Sequence, residues 1–425
     1  MYISQADRGQ LIAWESAIAA QYEKFRTANL HLDLTRGKPS PEQLALSDSL
    51  DGILGERFLD DAGTDTRNYG GLEGLPAMRN FAAELLEVNP EEVLVGGNSS
   101  LNLMYWAVQF CWMFGPAAGL KPWRDEPHVK FLCPSPGYDR HFAICEEFGI
   151  EMIPVAVNRD GPDMDEVERL IAGDAGIKGI WCVPKYSNPT GCVYSDETVA
   201  RLAGLGRSAA ENFRIFYDNA YAVHHLTEEP PTLTPIMAAC RRLGTEDAVL
   251  QFSSTSKITF AGAGVSFLAA SPANLAAFKK HLGIATIGAD KVNQLRHLRF
   301  IDSMEKLQAH MKNHAKLLRP RFDAVLGKLD AELGDSDLGS WSRPRGGYFV
   351  SFDARPGTAR EIVRLAGEVG VKLTPAGATY PYGRDPADSN IRLAPSFPAL
   401  EEIERAMEVF VCCVKLASVR QQLNR

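Results

Sequence analysis

Between Glu92 and Ala270, short apolar, β-branched or aromatic runs alternate with longer stretches whose apolar positions recur at helical spacing. That alternation predicts a mainly parallel α/β sheet. The runs are EVLVGG, HVKFLCP, EMIPVAV, GIWCVP, FRIFYD, AVLQFSS and GVSFLAAS. Polar or glycine-rich breaks follow most of them, which places loops at strand ends, where open α/β sheets bind ligands. A long helical pattern then extends from about Lys291 to Leu329, without a proline until Pro320. Beyond it GGYFVSFD, VKLTPAG and NIRLAPS predict strands of a second, smaller domain, closed by a helix from Glu401 onward. The opening stretch MYISQADRGQLIAWESAIAAQYEKF carries charges throughout and predicts an amphipathic helix rather than a signal peptide. This segment could join either domain. Neither internal repeats nor low-complexity tracts interrupt the pattern.

Composition narrows the class of partner. With 425 residues the chain is long enough for two domains. Lys+Arg number 45 against 53 Asp+Glu, a formal net charge of -8, and no long basic run occurs. Nucleic acid and anionic membrane surfaces are therefore not expected partners; a small molecule is. Leu103–Leu120 is strongly apolar, but Gln109 interrupts it and Gly115-Pro116 ends it early, so it predicts a buried core helix rather than a membrane span. The eight cysteines are scattered, without CxxC pairs or histidines at metal-ligand spacing, and predict reduced thiols in a cytoplasmic protein.

Four strand ends carry candidate chemistry. In SSTSKITFAGAGVSF, Lys257 stands alone among small residues, where desolvation would lower its pKa and make a reactive amine; a solvated loop lysine is the alternative. GGNSSLN runs from a predicted strand into Ser99 and Ser100 at a helix start, either a phosphate cradle or an ordinary N-cap. YSNPTG places Asn188 in a turn after GIWCVP, and FYDNAY places Asp218 and Tyr221 at the end of FRIFYD. Pyridoxal 5′-phosphate needs what this ordered set provides: an anion site for its phosphate, a lysine for its aldehyde, a carboxylate at its ring nitrogen and donors to its phenolate oxygen.

On these motifs the chain resembles a fold-type I pyridoxal-phosphate enzyme of the class I/II aminotransferase family, in the aspartate aminotransferase branch related to the aminotransferase domains of MocR-type regulators. The resemblance extends from LTRGKPSPEQL at Leu34 to NIRLAPSFP at Asn390. It implies a three-layer α/β/α sheet domain at 51–300 that binds the cofactor, a smaller α+β domain at 301–425, and an arm at 1–50 shared with the small domain. It implies that Lys257 forms the Schiff base and shuttles protons, that Asp218 pairs with the pyridine nitrogen, and that Asn188 and Tyr221 face the phenolate oxygen. Tyr138 in PSPGYDRHF is similar to the ring stacked on the cofactor, and Ser99, Ser100, Ser254 and Ser256 to phosphate ligands. Tyr69 in RNYGGLEGLPAMR matches the tyrosine that reaches the phosphate in a neighbouring subunit, which implies a homodimer with shared sites. Arg392 matches the arginine that grips the substrate α-carboxylate, with the Gly37 backbone beside it.

One departure stands out. Eight residues after Lys257, where many relatives carry an arginine for the phosphate, this chain has Val265. Another cation, with Lys291, Arg296 and Arg299 as candidates, or hydroxyls and amides alone must then serve. For substrates, the resemblance implies an L-amino acid and a 2-oxo acid. Arg36, Lys38 and Lys291 are candidate cations for a second carboxylate, which favours aspartate with 2-oxoglutarate. A β-lyase or decarboxylase on the same scaffold, or a ligand-sensing module of the MocR kind, are the alternative functions.

Overall fold

The computed structural model describes residues 1–424. Its strands are β1 (Leu32–Asp33), β2 (Val93–Val95), β3 (Lys130–Ser135), β4 (Glu151–Asn158), β5 (Gly161–Pro162), β6 (Ile177–Cys182), β7 (Arg214–Asp218), β8 (Val249–Ser254), β9 (Ser266–Ala270), β10 (Gly339–Trp341), β11 (Val350–Ala354), β12 (Val371–Lys372) and β13 (Asn390–Leu393). All seven apolar runs between Glu92 and Ser271 lie in one eight-stranded sheet of order β2-β9-β8-β7-β6-β3-β4-β5. Strands β8, β7, β6, β3 and β4 are mutually parallel, whereas β9 runs antiparallel to both β8 and β2.

Side chains along these strands alternate between two apolar layers, as a pleated strand requires. On β7, Phe216 joins Phe131, Trp181 and Phe252 beneath the helices Ser100–Phe114, Asp139–Glu147 and Pro272–Ala285. Ile215 and Tyr217 face the other side, with Val167, Val199 and Met237 from the helices Met164–Gly173, Asp196–Gly204 and Ile236–Leu243. Two helical layers therefore sandwich the sheet, the three-layer α/β/α architecture. No described helix is long and apolar enough to cross a membrane; the apolar helix Ser100–Phe114 stops at Gly115 and packs on the sheet.

A separate core cluster forms around β10-β11-β13, the helices Ala359–Glu368 and Leu400–Leu423, and the N-terminal helix Arg8–Arg26. The opening segment joins this C-terminal unit: Tyr22 donates its hydroxyl proton to the Leu365 carbonyl at 2.9 Å, and the Ile3 and Ser4 amides donate to the Asp337 carboxylate at 2.8 and 2.9 Å.

Two expectations are corrected here. The helical pattern from Lys291 to Leu329 is two helices, Lys291–Phe300 and Met304–Leu333. Ile301 leaves helical geometry (φ -129°, ψ 95°), and the Ser303 hydroxyl caps a new start by accepting from the Lys306 amide at 3.3 Å. The C-terminal strands are also shorter than their apolar runs. Ordered pairing starts only at Val350, because Gly347, at φ +80°, donates its amide to His224 instead of to a strand neighbour. The run from Val371 pairs with β1 over two residues only.

Candidate active site

The C-terminal ends of β2, β3, β6, β7 and β8 open toward one cavity of about 690 Å³, walled on the far side by Phe349, Thr374 and Arg392 of the C-terminal unit. This volume suits a cofactor with a small substrate. Of the residues that the sequence puts forward for cofactor and substrate, all but Tyr69, Lys291, Arg296 and Arg299 line this cavity.

Lys257 follows β8 in a tight turn, where the Ile258 and Thr259 amides both donate to the Thr255 carbonyl at 2.8 Å. Its side chain is enclosed, and burial pushes its pKa below the usual lysine value, against a smaller opposing pull from the Asp218 carboxylate. The ammonium nitrogen sits 4.9 Å from the Tyr221 ring centroid and has no hydrogen-bond or ion-pair partner among the described residues. Such an amine is desolvated and uncommitted, the state a nucleophile or proton acceptor needs.

Asp218 ends β7 and is buried. Its Oδ2 lies 3.1 Å from Nε2 of His141, while Oδ1 is buried without a hydrogen-bond partner among the described residues. A buried carboxylate oxygen left unpaired is costly unless a cation or donor meets it, and a protonated ring nitrogen would do so. His141 is itself held flat on Trp181, centroids 4.3 Å apart at 9°. Sequence reading missed His141; its position three residues after Tyr138, on the first turn of the same helix, was the available signal. The Tyr138 ring meets His141 edge-on at 4.9 Å, and burial raises its phenol pKa to about 12. Asn188 Oδ1 accepts from Arg392 at 3.2 Å, so that its Nδ2 remains as a donor.

At the other end, Ser99 caps the helix Ser100–Phe114, accepting from the Leu101 amide at 3.2 Å. Ser254 donates to Ser256 (3.2 Å), and Ser256 donates to the Asn98 carbonyl (2.8 Å). These hydroxyls and free helix-start amides form a concave donor set suited to a phosphate dianion. Val265 packs with Ile258, Phe267 and Leu295, away from any polar role. None of the three candidate replacement cations lines the cavity. The Lys291 ammonium donates to the carbonyls of Asn68 (2.8 Å) and Gly70 (2.6 Å), Arg296 to that of Leu50 (3.3 Å), and Arg299 to Asp61 (3.1 Å).

Arg392 projects from β13 with its side chain almost fully buried. Its Nη1 donates to both Asp139 (2.9 Å) and Asn188, leaving Nε buried and without a partner among the described residues. The Nε side of the guanidinium is therefore the edge that a carboxylate would complete. The Phe349 ring lies 5.0 Å from this guanidinium, and a Cβ built on Gly37 would stand 2.2 Å from the Phe349 ring; only glycine lets the 35–38 loop approach so closely. Lys38 extends its ammonium over Phe397 at 3.9 Å. Asp139 and Arg140 also line the cavity and were not singled out from sequence.

Tyr69 lies elsewhere. It is 85% exposed and shares a surface groove with Ile287 and Lys291.

The family model described as aspartate amino-transferase matches residues 7–425. The chain is 46% identical to an aspartate aminotransferase of Corynebacterium glutamicum over 96% of its length and 94% of the relative's. It superposes on the crystal structure of an aspartate transaminase from Corynebacterium glutamicum with a TM-score of 0.96, at 44% identity and 99% coverage of both chains.

Proposed function

The chain belongs to the aspartate amino-transferase family, and from that premise we propose that it moves an amino group between L-aspartate and 2-oxoglutarate, with pyridoxal 5′-phosphate held on Lys257. The observation that carries this reading is the unpaired Asp218 Oδ1 buried in the same cavity as the uncommitted Lys257 amine. When bound, the cofactor supplies an electron sink that stabilises negative charge at the substrate α-carbon.

The protein's own contribution is positioning and proton movement. Asp218, oriented by His141, holds a negative charge where a ring nitrogen must stay protonated. Serines 99, 100, 254 and 256 with the helix-start amides would hold the cofactor's phosphate, Tyr138 would lie against its ring, and Asn188 and Tyr221 would donate to its phenolate oxygen. Arg392 binds the α-carboxylate through its Nε edge and so aims the α C–H bond at the cavity floor. Lys257 Nζ takes the proton from the α-carbon and holds it for return, which its desolvated state favours.

Selectivity for a second carboxylate is assigned to Arg36 and Lys38, which line the cavity beside Gly37. Lys291 has no such role in its own protomer, since its ammonium is committed to backbone carbonyls. In a homodimer the exposed Tyr69, with the buried Lys291 behind it, would approach the partner's cavity. A screen of amino donors against 2-oxo acids tests the reading. Aspartate and 2-oxoglutarate should give the highest kcat/KM, and Lys38→Met should lower aspartate turnover about tenfold while sparing alanine. Release of pyruvate or carbon dioxide with no 2-oxo acid present would instead return a β-lyase or decarboxylase.

A further inference from the structure

Beneath the cavity, the carbonyls of Lys257 and its neighbour Ile258 are held by a buried side-chain network with a single self-consistent direction. It starts at Gln43, fully buried in the short helix Pro41–Ala45 that follows the cavity loop 35–38. Gln43 Oε1 accepts from the Ser40 amide at 3.1 Å, so its Nε2 must supply the two remaining bonds, to His314 Nδ1 at 3.0 Å and to the Tyr348 hydroxyl at 3.1 Å. His314 Nδ1 therefore accepts, and its one proton sits on Nε2, which lies 3.1 Å from His310 Nε2. His310 Nε2, 2.8 Å from the Ile258 carbonyl, donates to it, because a carbonyl only accepts. Tyr348, with its oxygen occupied by Gln43, donates to the Lys257 carbonyl at 3.3 Å, and His224 Nε2 donates to the same atom at 3.2 Å. The Lys257 carbonyl thus receives two donors and the Ile258 carbonyl one. Burial keeps all three imidazoles neutral in the ordinary pH range, which this pattern requires.

We propose that Gln43 is a positioning residue for the reactive lysine: by fixing which way the protons point, it directs the Tyr348 hydroxyl at the Lys257 carbonyl and ties that carbonyl to the loop 35–38 that faces the substrate. The inference rests on the reading of Lys257 as the reactive amine. Networks of this kind rigidify when every member is satisfied and loosen when one donor is lost. Substrate loop and lysine backbone then form one rigid body across two structural units.

The test uses the holoenzyme with Gln43→Met, which keeps length but removes both donors, Tyr348→Phe, and the double variant. Three quantities are read: kcat against KM for the best donor, the pH midpoint of the bound cofactor's absorbance change, and the thermal midpoint. Gln43→Met should lower kcat about tenfold or more with KM within about threefold, and move the absorbance midpoint by about half a pH unit or more. Tyr348→Phe should move that midpoint in the same direction, and the double variant should add less than the sum of the two, because both act on one carbonyl. Lower thermal stability with an unmoved absorbance midpoint and kcat would overturn the proposal, as would strictly additive effects. If Gln43→Met does not fold, Tyr348→Phe alone decides by the same midpoint. Borohydride trapping in each variant separates the two readings. An adduct away from Lys257 sinks the assignment of the lysine, whereas an adduct on Lys257 with an unmoved midpoint sinks only the role of Gln43.

Discussion

Asp218 presents its two oxygens to different neighbours, one to His141 and one to the cavity. On the proposed reading its charge acts on a developing carbanion rather than on ground-state binding. Asp218→Asn keeps the shape and a hydrogen bond to His141, so the thermal midpoint should change little while kcat falls about 10²-fold or more. Equal losses in melting and in turnover would mark Asp218 as a structural group. At this scale the sequence was informative wherever chemistry depends on residues close to one strand end: Lys257, Asp218, Asn188 and the four serines were all readable. His141, Asp139 and the histidines under Lys257 were not, because their roles come from partners 33 to 271 positions away in sequence. No local pattern distinguishes such a histidine from any other buried one.

Among elements, the helices on either side of the Ile301–Ser303 break carry the groups that grip the lysine loop. His297 meets Thr259 Oγ1 at 2.8 Å, His310 donates to the Ile258 carbonyl at 2.8 Å, and His314 meets Gln43 at 3.0 Å. Burial pushes both rings down to about 4 from the ordinary 6.5. Both are therefore neutral in the folded state above about pH 4, while in the unfolded chain they take up protons below about 6.5. Stability contributed by these rings is complete above about 6.5, falls by roughly 1.4 kcal/mol per pH unit per ring as pH drops toward 4, and stops falling below that. Denaturant melts from pH 8 to 4 should show this loss. His297→Gln should flatten the slope by about one proton's worth if the ring is responsible. A pH-independent stability over that window would contradict the buried neutral assignment. The break itself was invisible in the pattern, since Ile301 and Met304 keep the apolar period while Ser303 restarts the backbone hydrogen bonds.

For the whole molecule, the exposed face around the Tyr69 groove remains to be accounted for. Ile287, 60% exposed, shares the groove with the 85% exposed Tyr69 and the buried Lys291. Apolar residues of this size clustered on a surface mark an interaction site, and a second copy of the chain is the occupant that the proposed shared-site dimer supplies. Ile287→Asp should shift sedimentation from dimer toward monomer and reduce activity in parallel; an active monomer would remove the shared-site reading. Mixing Tyr69→Ala with Lys257→Ala, each impaired alone, should restore part of the activity through hybrids with one intact site. The parallel sheet and its order of motifs were legible because short continuous apolar runs report strands buried on both faces. The packing of the N-terminal helix against the C-terminal unit was implied by the resemblance and not by the pattern, because an amphipathic face does not name its partner.

The central claim is that Lys257 is the amine on which this aminotransferase holds its cofactor. Borohydride reduction of the purified holoenzyme followed by peptide mass spectrometry tests it most directly. The account predicts a yellow protein and a single reduced phosphopyridoxyl adduct on the peptide containing Lys257, absent from Lys257→Ala, whose turnover falls by about 10⁴-fold or more. A reduced adduct mapped to any other lysine of the native enzyme would contradict it.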